Sequence, residues 1–195
     1  MRLVLVHGFN VRDGGANTVD RLAPYFVRRG HQVDIDDADY GYFGLWAVRF
    51  RKRSAVVRIL GALEKADVVI SHSNGSNYAN KAAKLLSHRE GREIREVRLS
   101  PALNRSTACA RRVKVCYVFH TLNDFWTWAA GFLPWHPWGR QGWRGYQGQD
   151  PRLINFDYSD LVRGHSDWFS EDNLERVAQD ILDHLEEPHD ENRTQ

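Results

Sequence analysis

The stretch Ser71–Gly75 is the feature that most constrains how this chain can fold. It follows a short apolar run at 66–70 and precedes a helix-like run at 76–83. A strand, a tight turn and a helix with a serine at the apex form the layout of a nucleophile elbow, which exposes the serine hydroxyl at the carboxyl edge of a sheet. The pattern therefore predicts that Ser73 is a nucleophile. The alternative is a polar strand-to-helix loop whose serines cap the helix.

Short apolar runs alternate with helix-like segments along the rest of the chain. Continuous apolar runs of this length are typical of parallel strands that are buried on both faces. The alternation predicts an α/β fold, with a doubly wound, mainly parallel sheet and helices on both faces. The predicted strands are 3–7, 31–35, 66–70, 93–99, 113–119 and 153–156, and the predicted helices are 18–29, 45–65, 76–87, 108–112 and 170–185.

Length, charge and cysteine content limit the class of protein. We expect one domain over 1–185, with a Trp-rich insertion at 121–151 and a polar tail at 186–195. A chain of 195 residues can bury a hydrophobic core without disulfides or structural metals. A net charge of +2 gives no reason to expect nucleic acid as a partner. The two cysteines, Cys109 and Cys116, form neither a disulfide framework nor a Cys-rich metal site, which fits a cytoplasmic protein.

Two further polar residues follow predicted strands and complete a candidate catalytic set. A nucleophilic serine needs a base, and the base works best when a third group orients it. Asp124 follows the fifth strand and His165 lies in the loop before the last helix, so the order Ser73, Asp124, His165 is the one typical of the elbow motif. The alternatives are an aspartate that caps a turn and a surface histidine near a helix start. His72 is a rival base, which we rank lower because adjacent residues at an elbow point apart.

An enzyme of this kind also needs two backbone N–H groups aimed at the developing oxyanion. Asn74 follows the candidate nucleophile and is the first expected donor. Phe9 is the second, in the loop after the first strand, where Gly8 allows an unusual backbone turn. The alternative for Gly8 is a simple turn that ends the strand.

Taken together, these motifs resemble an α/β hydrolase of the small lipase or esterase kind. The matching stretches are Val4–Asn10, Ser71–Gly75, the loop at Asp124 and Gly164–Ser166, which span most of the chain. The elbow departs from the family pattern at Ser71, where glycine is usual. The resemblance implies a compact α/β-hydrolase fold and hydrolysis of a small-molecule or lipid-like ester through an acyl-enzyme, with no metal and no organic cofactor. A compact form of this kind suits a bacterial or bacteriophage source.

The Trp-rich segment directly follows Asp124 and is expected to lie beside the candidate site. Trp126, Trp128 and Phe132 are therefore candidate substrate-binding residues, as an acyl-chain site or as a flap that makes peripheral contact with a membrane. The alternative is a long loop that packs its own aromatic side chains onto the body. A basic stretch at 49–58 faces anionic lipid headgroups or nucleic acid, or it is a solvated helix face.

Two other functions stay open on the sequence. The chain is either a non-catalytic binding protein that uses the Trp-rich segment on a hydrolase scaffold, or a hydrolase of thioester, peptide or amide bonds. The second alternative arises because one triad serves all of these reactions.

Overall fold

The computed structural model describes residues 1–8, 13–35, 38–41, 47–88, 92–132 and 138–187. For residues 47–52 it describes the backbone but not the side chains. A single parallel sheet organises this part of the chain. The strands lie in the order β2-β1-β3-β4-β5-β6, and every neighbouring pair is parallel. Their bounds are β1 Arg2–Val6, β2 Gln32–Asp34, β3 Val68–His72, β4 Ile94–Leu99, β5 Val113–His120 and β6 Leu153–Asp157. The predicted α/β class with a parallel sheet is confirmed.

Helices cover both faces of this sheet. The α-helices are α1 Ala23–Arg28, α2 Ala47–Leu63, α3 Gly75–Leu86, α4 Phe125–Ala130, α5 Gln141–Arg144 and α6 Glu171–Glu186. Alternate residues of a strand face opposite sides, so β1 supplies Leu3 and Leu5 to a core with α1 and α6, and Val4 and Val6 to a core with α2 and α3. The doubly wound arrangement is therefore confirmed.

The strand order reverses between β1 and β3. The chain runs outward from β1 to β2, returns to β3, and then proceeds to β6 at the other edge. In open parallel sheets the crevice at such a reversal, at the carboxyl ends of the strands, is where ligands bind. The residues that follow β1 and β3, which include His7 and Ser73, lie at this crevice.

Several helix predictions differ from the structure in their details. The segment 121–151, predicted to be irregular, contains α4 and α5. The predicted helix at 108–112 is absent, since a turn in which the Val113 N–H donates to the Ala110 carbonyl leads directly into β5. The predicted helix at 18–29 divides into a 3-10 turn and α1, with a proline in the first turn of α1, where its missing N–H costs no helical hydrogen bond.

The basic stretch at 49–58 falls on α2. Arg53 and Arg58 are exposed, while the side chains of Arg49, Arg51 and Lys52 lie outside the described part of the structure. No helix among the described residues combines the length and apolar character needed to cross a bilayer.

Candidate active site

Ser73 occupies a strained turn between β3 and α3. Its φ of 54° lies in the left-handed region, which non-glycine residues rarely adopt. Its N–H donates to the Leu99 carbonyl at 3.0 Å, and its own carbonyl accepts from Ala102 N at 3.0 Å. These bonds secure both sides of the peptide backbone, so the surrounding structure holds the strained geometry that presents the Ser73 hydroxyl.

Glycine is required at position 75, two residues after Ser73, because α3 passes very close to the end of β1. A Cβ at Gly75 would overlap the backbone carbonyl oxygen of His7 and would lie 2.7 Å from that of Val6. Backbone atoms cannot move aside as a flexible side chain can. This close approach explains the glycine at the end of the elbow motif.

Ser71, where the nucleophile-elbow motif usually has glycine, fits without an unpaired polar group. Its side chain is fully buried, and its hydroxyl donates a 2.9 Å hydrogen bond to the Ser76 hydroxyl in the first turn of α3. The Val97 carbonyl lies 3.3 Å from the same oxygen. The substitution of serine for glycine is therefore matched by a polar partner on the facing helix.

The structure brings Ser73, His165 and Asp124 into one hydrogen-bonded line. The Nε2 of His165 lies 2.7 Å from the Oγ of Ser73, and its Nδ1 lies 2.9 Å from the Oδ2 of Asp124. Nδ1–H must be the donor to the carboxylate, which leaves the Nε2 lone pair free to accept the serine proton. These distances are the ones that proton transfer from the serine to the imidazole requires.

Asp124 is fully buried and surrounded by donors. Its Oδ1 accepts from Thr127 N at 3.0 Å, so that it also caps α4. Burial alone would raise the pKa of Asp124, but the hydrogen bond and charge of His165, the Thr127 N–H and the Ser100 hydroxyl together hold this pKa below its usual value. The carboxyl group is therefore ionised at neutral pH, as the partner of an imidazole that becomes charged must be.

His72 faces the backbone of His165 rather than the Ser73 hydroxyl. Its Nε2–H donates to the carbonyl oxygen of His165 at 3.0 Å. Burial, together with the nearby His165 charge, lowers the pKa of His72 to about 3, so the ring is neutral at physiological pH. Through this hydrogen bond His72 stabilises the loop that carries His165.

The loop after β1 passes directly beside Ser73. A Cβ at Gly8 would lie 3.0 Å from the Ser73 Cβ and 3.1 Å from the His72 Nδ1, so a larger residue would crowd the elbow. Asn74, the other expected oxyanion donor, stands at the start of α3. Phe9 lies outside the described residues.

Three polar residues that organise this site were not predicted from the sequence. The Tyr40 hydroxyl lies 2.8 Å and 2.7 Å from the carbonyl oxygens of His7 and Gly8, and Asp39 contacts the His7 Nε2 at 3.0 Å. The Ser100 hydroxyl is one of the groups that lower the pKa of Asp124. All three follow the carboxyl end of a strand, and that position is the signal that could have identified them.

An exposed aromatic surface adjoins the site, and we define it by Phe125, Trp126, Trp128 and Phe132. Phe125, Trp126 and Phe132 are 62%, 68% and 61% exposed. The Trp128 ring lies between two of them, 5.4 Å from Phe125 and 5.1 Å from Phe132 by ring centroids. Within the described part of the Trp-rich segment, Trp138 is buried against the body, while residues 133–137 lie outside the described structure.

No protein-family model and no curated protein matches this sequence. Among solved structures, the chain is similar to a protein from Xanthomonas campestris pv. campestris assigned to the α/β hydrolase superfamily, with 22% identity over 94% of this chain and 99% of that one and a TM-score of 0.50. It is also similar to the pyrethroid hydrolase PytH, with 14% identity over 97% of this chain and 99% of that one and a TM-score of 0.56. Likeness at these identities shows that the fold is shared.

Proposed function

We propose that this protein, which has the α/β-hydrolase fold, is a serine hydrolase that cleaves carboxylic esters. The observation that carries this proposal is the line of two hydrogen bonds from Ser73 through His165 to Asp124, at 2.7 Å and 2.9 Å. The left-handed φ of 54° at Ser73 supports it independently, because strain of this kind is concentrated at functional positions.

The first half of the proposed reaction forms an acyl-enzyme. The Ser73 Oγ attacks the ester carbonyl carbon while the Nε2 of His165 accepts the hydroxyl proton. The buried Asp124 carboxylate accepts the Nδ1–H bond and stabilises the imidazolium. His165 then gives its proton to the departing alkoxide, so that the alcohol leaves neutral and the acyl group stays on Ser73.

The second half releases the acid. A water molecule takes the place of the alcohol and attacks the acyl carbon while His165 accepts its proton. The tetrahedral intermediate then collapses: the bond from the acyl carbon to the Ser73 Oγ breaks, His165 returns the proton to that oxygen, and the carboxylic acid leaves. The backbone N–H groups of Asn74 and Phe9 are the proposed donors to the oxyanion in both halves. Gly8 supports this assignment of the loop after β1, because a Cβ at this position would lie 3.0 Å from the Cβ of Ser73.

The exposed aromatic surface favours esters with an apolar, lipid-like acyl group. It begins at Phe125, the residue after Asp124, which caps the helix that carries most of these rings. Aromatic side chains bind apolar groups well, and soluble proteins rarely leave such a surface without a use. We further propose a cytoplasmic location, with peripheral membrane contact through this surface.

Active-site labelling tests the proposal. The purified protein should react with a fluorophosphonate probe and hydrolyse p-nitrophenyl acetate, and Ser73→Ala should lose labelling and at least about 10⁴-fold in kcat. Ser87→Ala is a matched control, since that serine bonds the Ala83 carbonyl at the far end of α3. Undiminished ester turnover by Ser73→Ala would refute the proposal.

The same aromatic surface favours a second candidate, a non-catalytic protein that binds lipid through it. In that case vesicles would bind the protein, but the fluorophosphonate probe would leave Ser73 unlabelled. Thioester and amide substrates in the same assay distinguish the remaining hydrolase classes, because the triad itself serves each of them.

A further inference from the structure

The Tyr40 hydroxyl, from the segment after β2, contacts two successive backbone carbonyls of the loop after β1. It lies 2.8 Å from the carbonyl oxygen of His7 and 2.7 Å from that of Gly8. A carbonyl oxygen only accepts, so the phenol is the donor and its one proton is shared between the two oxygens. Tyr40 is 8% exposed and Gly8 is buried. Bulk water therefore cannot replace this donor if it is removed.

Ring packing fixes the place of the phenol beside these carbonyls. The rings of Tyr40 and His7 stack with their centroids 4.2 Å apart, and the rings of Tyr40 and Tyr78 meet edge to face at 5.2 Å. The His7 ring is itself held at both nitrogens. Its Nδ1 lies 2.9 Å from the Gly8 carbonyl oxygen and its Nε2 lies 3.0 Å from the Oδ1 of Asp39. The Gly8 carbonyl is therefore approached by two ring-borne polar groups.

The Gly8 carbonyl belongs to the same peptide group as the N–H of Phe9, the proposed second oxyanion donor. A peptide group is planar and almost always trans, so its C=O and its N–H point in opposite directions. A bond that fixes the direction of the carbonyl therefore fixes the direction of the N–H as well. The loop that carries this group passes beside the nucleophile, since a Cβ at Gly8 would lie 3.0 Å from the Cβ of Ser73.

We propose that Tyr40 is a positioning residue that holds the peptide group between Gly8 and Phe9 in the orientation that oxyanion binding requires. This inference rests on the proposed hydrolase function. The Tyr40 hydroxyl acts through the Gly8 carbonyl and touches no reacting atom in this assignment. A donor that is already oriented stabilises the oxyanion because nothing has to turn as the charge develops. A peptide group that has lost its hold on the carbonyl side loses part of that advantage.

Tyr40→Phe tests this assignment, because it removes the hydroxyl and keeps the ring that stacks on His7. Tyr117→Phe is the matched control. The Tyr117 hydroxyl also donates to a backbone carbonyl, that of His184, at 2.8 Å. His184 lies in the last turn of α6, and Tyr117 is 2% exposed. The control therefore removes the same kind of bond from a buried tyrosine outside the candidate active site.

The first measurement is kcat and KM for p-nitrophenyl acetate, expressed per site that a fluorophosphonate labels at completion. Tyr40→Phe should lose about tenfold in kcat with KM nearly unchanged, because the oxyanion forms only after the substrate has bound. Tyr117→Phe should keep the wild-type kcat per labelled site. Counting labelled sites separates a change in catalysis from a loss of folded protein.

The second measurement is inhibition by a trifluoromethyl ketone. The Ser73 Oγ bonds to the ketone carbon, the hydroxyl proton passes to His165, and the ketone oxygen becomes a stable analogue of the oxyanion. Tyr40→Phe should bind this ketone about tenfold more weakly than the wild type. The matching methyl ketone, which forms no such adduct, should bind both proteins equally. A merely structural role of the hydroxyl would lower the number of labelled sites and leave the ratio of the two affinities unchanged.

Wild-type kcat per labelled site in Tyr40→Phe would overturn the assignment of Tyr40 while leaving the hydrolase proposal intact. A loss in kcat without weaker binding of the trifluoromethyl ketone would also overturn it, because the hydroxyl would then not act on the oxyanion. A Tyr40→Phe protein with no labelled sites would do the same, since the hydroxyl would then be required for folding. Failure of the hydrolase proposal has a different signature, which is full activity in Ser73→Ala.

Discussion

The indole Nε1 of Trp138 donates a 2.6 Å hydrogen bond to the side-chain oxygen of Asn74, the residue after Ser73. Both residues are buried. The bond attaches the Trp-rich segment to the first turn of α3, where the Asn74 N–H is the proposed oxyanion donor. A single contact thus couples the position of that segment to the geometry of the elbow.

Trp138→Phe should weaken both stability and catalysis, because it leaves the buried Asn74 oxygen without its donor. We expect the free energy of unfolding to fall by about 1–3 kcal/mol and kcat to fall several-fold. Trp143→Phe is the control, since its indole bonds the Leu122 carbonyl at an exposed position. Urea denaturation and ester kinetics measure both effects, and equal losses in the two variants would contradict this account.

Gly75→Ala should prevent normal folding, because the added Cβ would overlap the His7 carbonyl oxygen at the β1–α3 contact. We expect a loss of about 3 kcal/mol or more in the free energy of unfolding. Gly61→Ala in α2 is the matched control, since no atom lies within 4 Å of its added Cβ. That variant should gain about 0.5–1 kcal/mol from helix propensity. Thermal and urea denaturation compare the two, and a stable Gly75→Ala would be inconsistent with the observed packing.

The Ser71–Ser76 hydrogen bond should appear as a coupling in a double-mutant cycle. Ser71→Ala leaves the Ser76 hydroxyl unpaired in the core and should cost about 1–2 kcal/mol of unfolding free energy. Once Ser71 is alanine, Ser76→Ala should cost less than it does in the wild-type background. Additive costs in urea denaturation would show that the two hydroxyls do not support one another.

His72 should make the protein less stable as the pH falls. Its folded pKa of about 3 lies below its unfolded value of about 6.5, so between these values the unfolded chain binds a proton that the folded protein does not. The free energy of unfolding therefore falls with pH through this window, by about 2 kcal/mol at pH 5 on account of His72 alone.

His72→Gln tests this linkage, since a glutamine amide can keep the donor to the His165 carbonyl and has no titrating ring. Its loss of unfolding free energy between pH 7.5 and pH 5 should be smaller than that of the wild type by about 2 kcal/mol. Urea denaturation at the two pH values measures the difference. Parallel pH dependence in the two proteins would show that His72 is not held neutral.

Trp126→Ser should change substrate preference and leave stability unaltered, because its ring is 68% exposed. We expect about a tenfold loss in kcat/KM for a long-chain p-nitrophenyl ester and little change for the acetate. Val57→Ser, at an exposed position on α2, is the control. Equal losses for both esters would argue against acyl-chain binding at the exposed aromatic surface.

Local patterns in the sequence were sufficient to predict the sheet. An apolar run of strand length and a serine turn before a helix can each be recognised within a few consecutive residues. The predicted strand at 66–70 became β3 at Val68–His72, and the predicted final helix at 170–185 became α6 at Glu171–Glu186. The prediction failed on 121–151, since α4 and α5 are too short to show a helical period.

For the candidate site, the sequence alone determined which residues stand after strands, and therefore that Ser73, Asp124 and His165 belong to one edge of the sheet. Their catalytic roles stay predictions. Only the tertiary structure decided which side chains touch, as His165 does Asp124 and Trp138 does Asn74. The physical reason is that such contacts join residues far apart in the chain through packing and backbone strain, and no local periodicity encodes either.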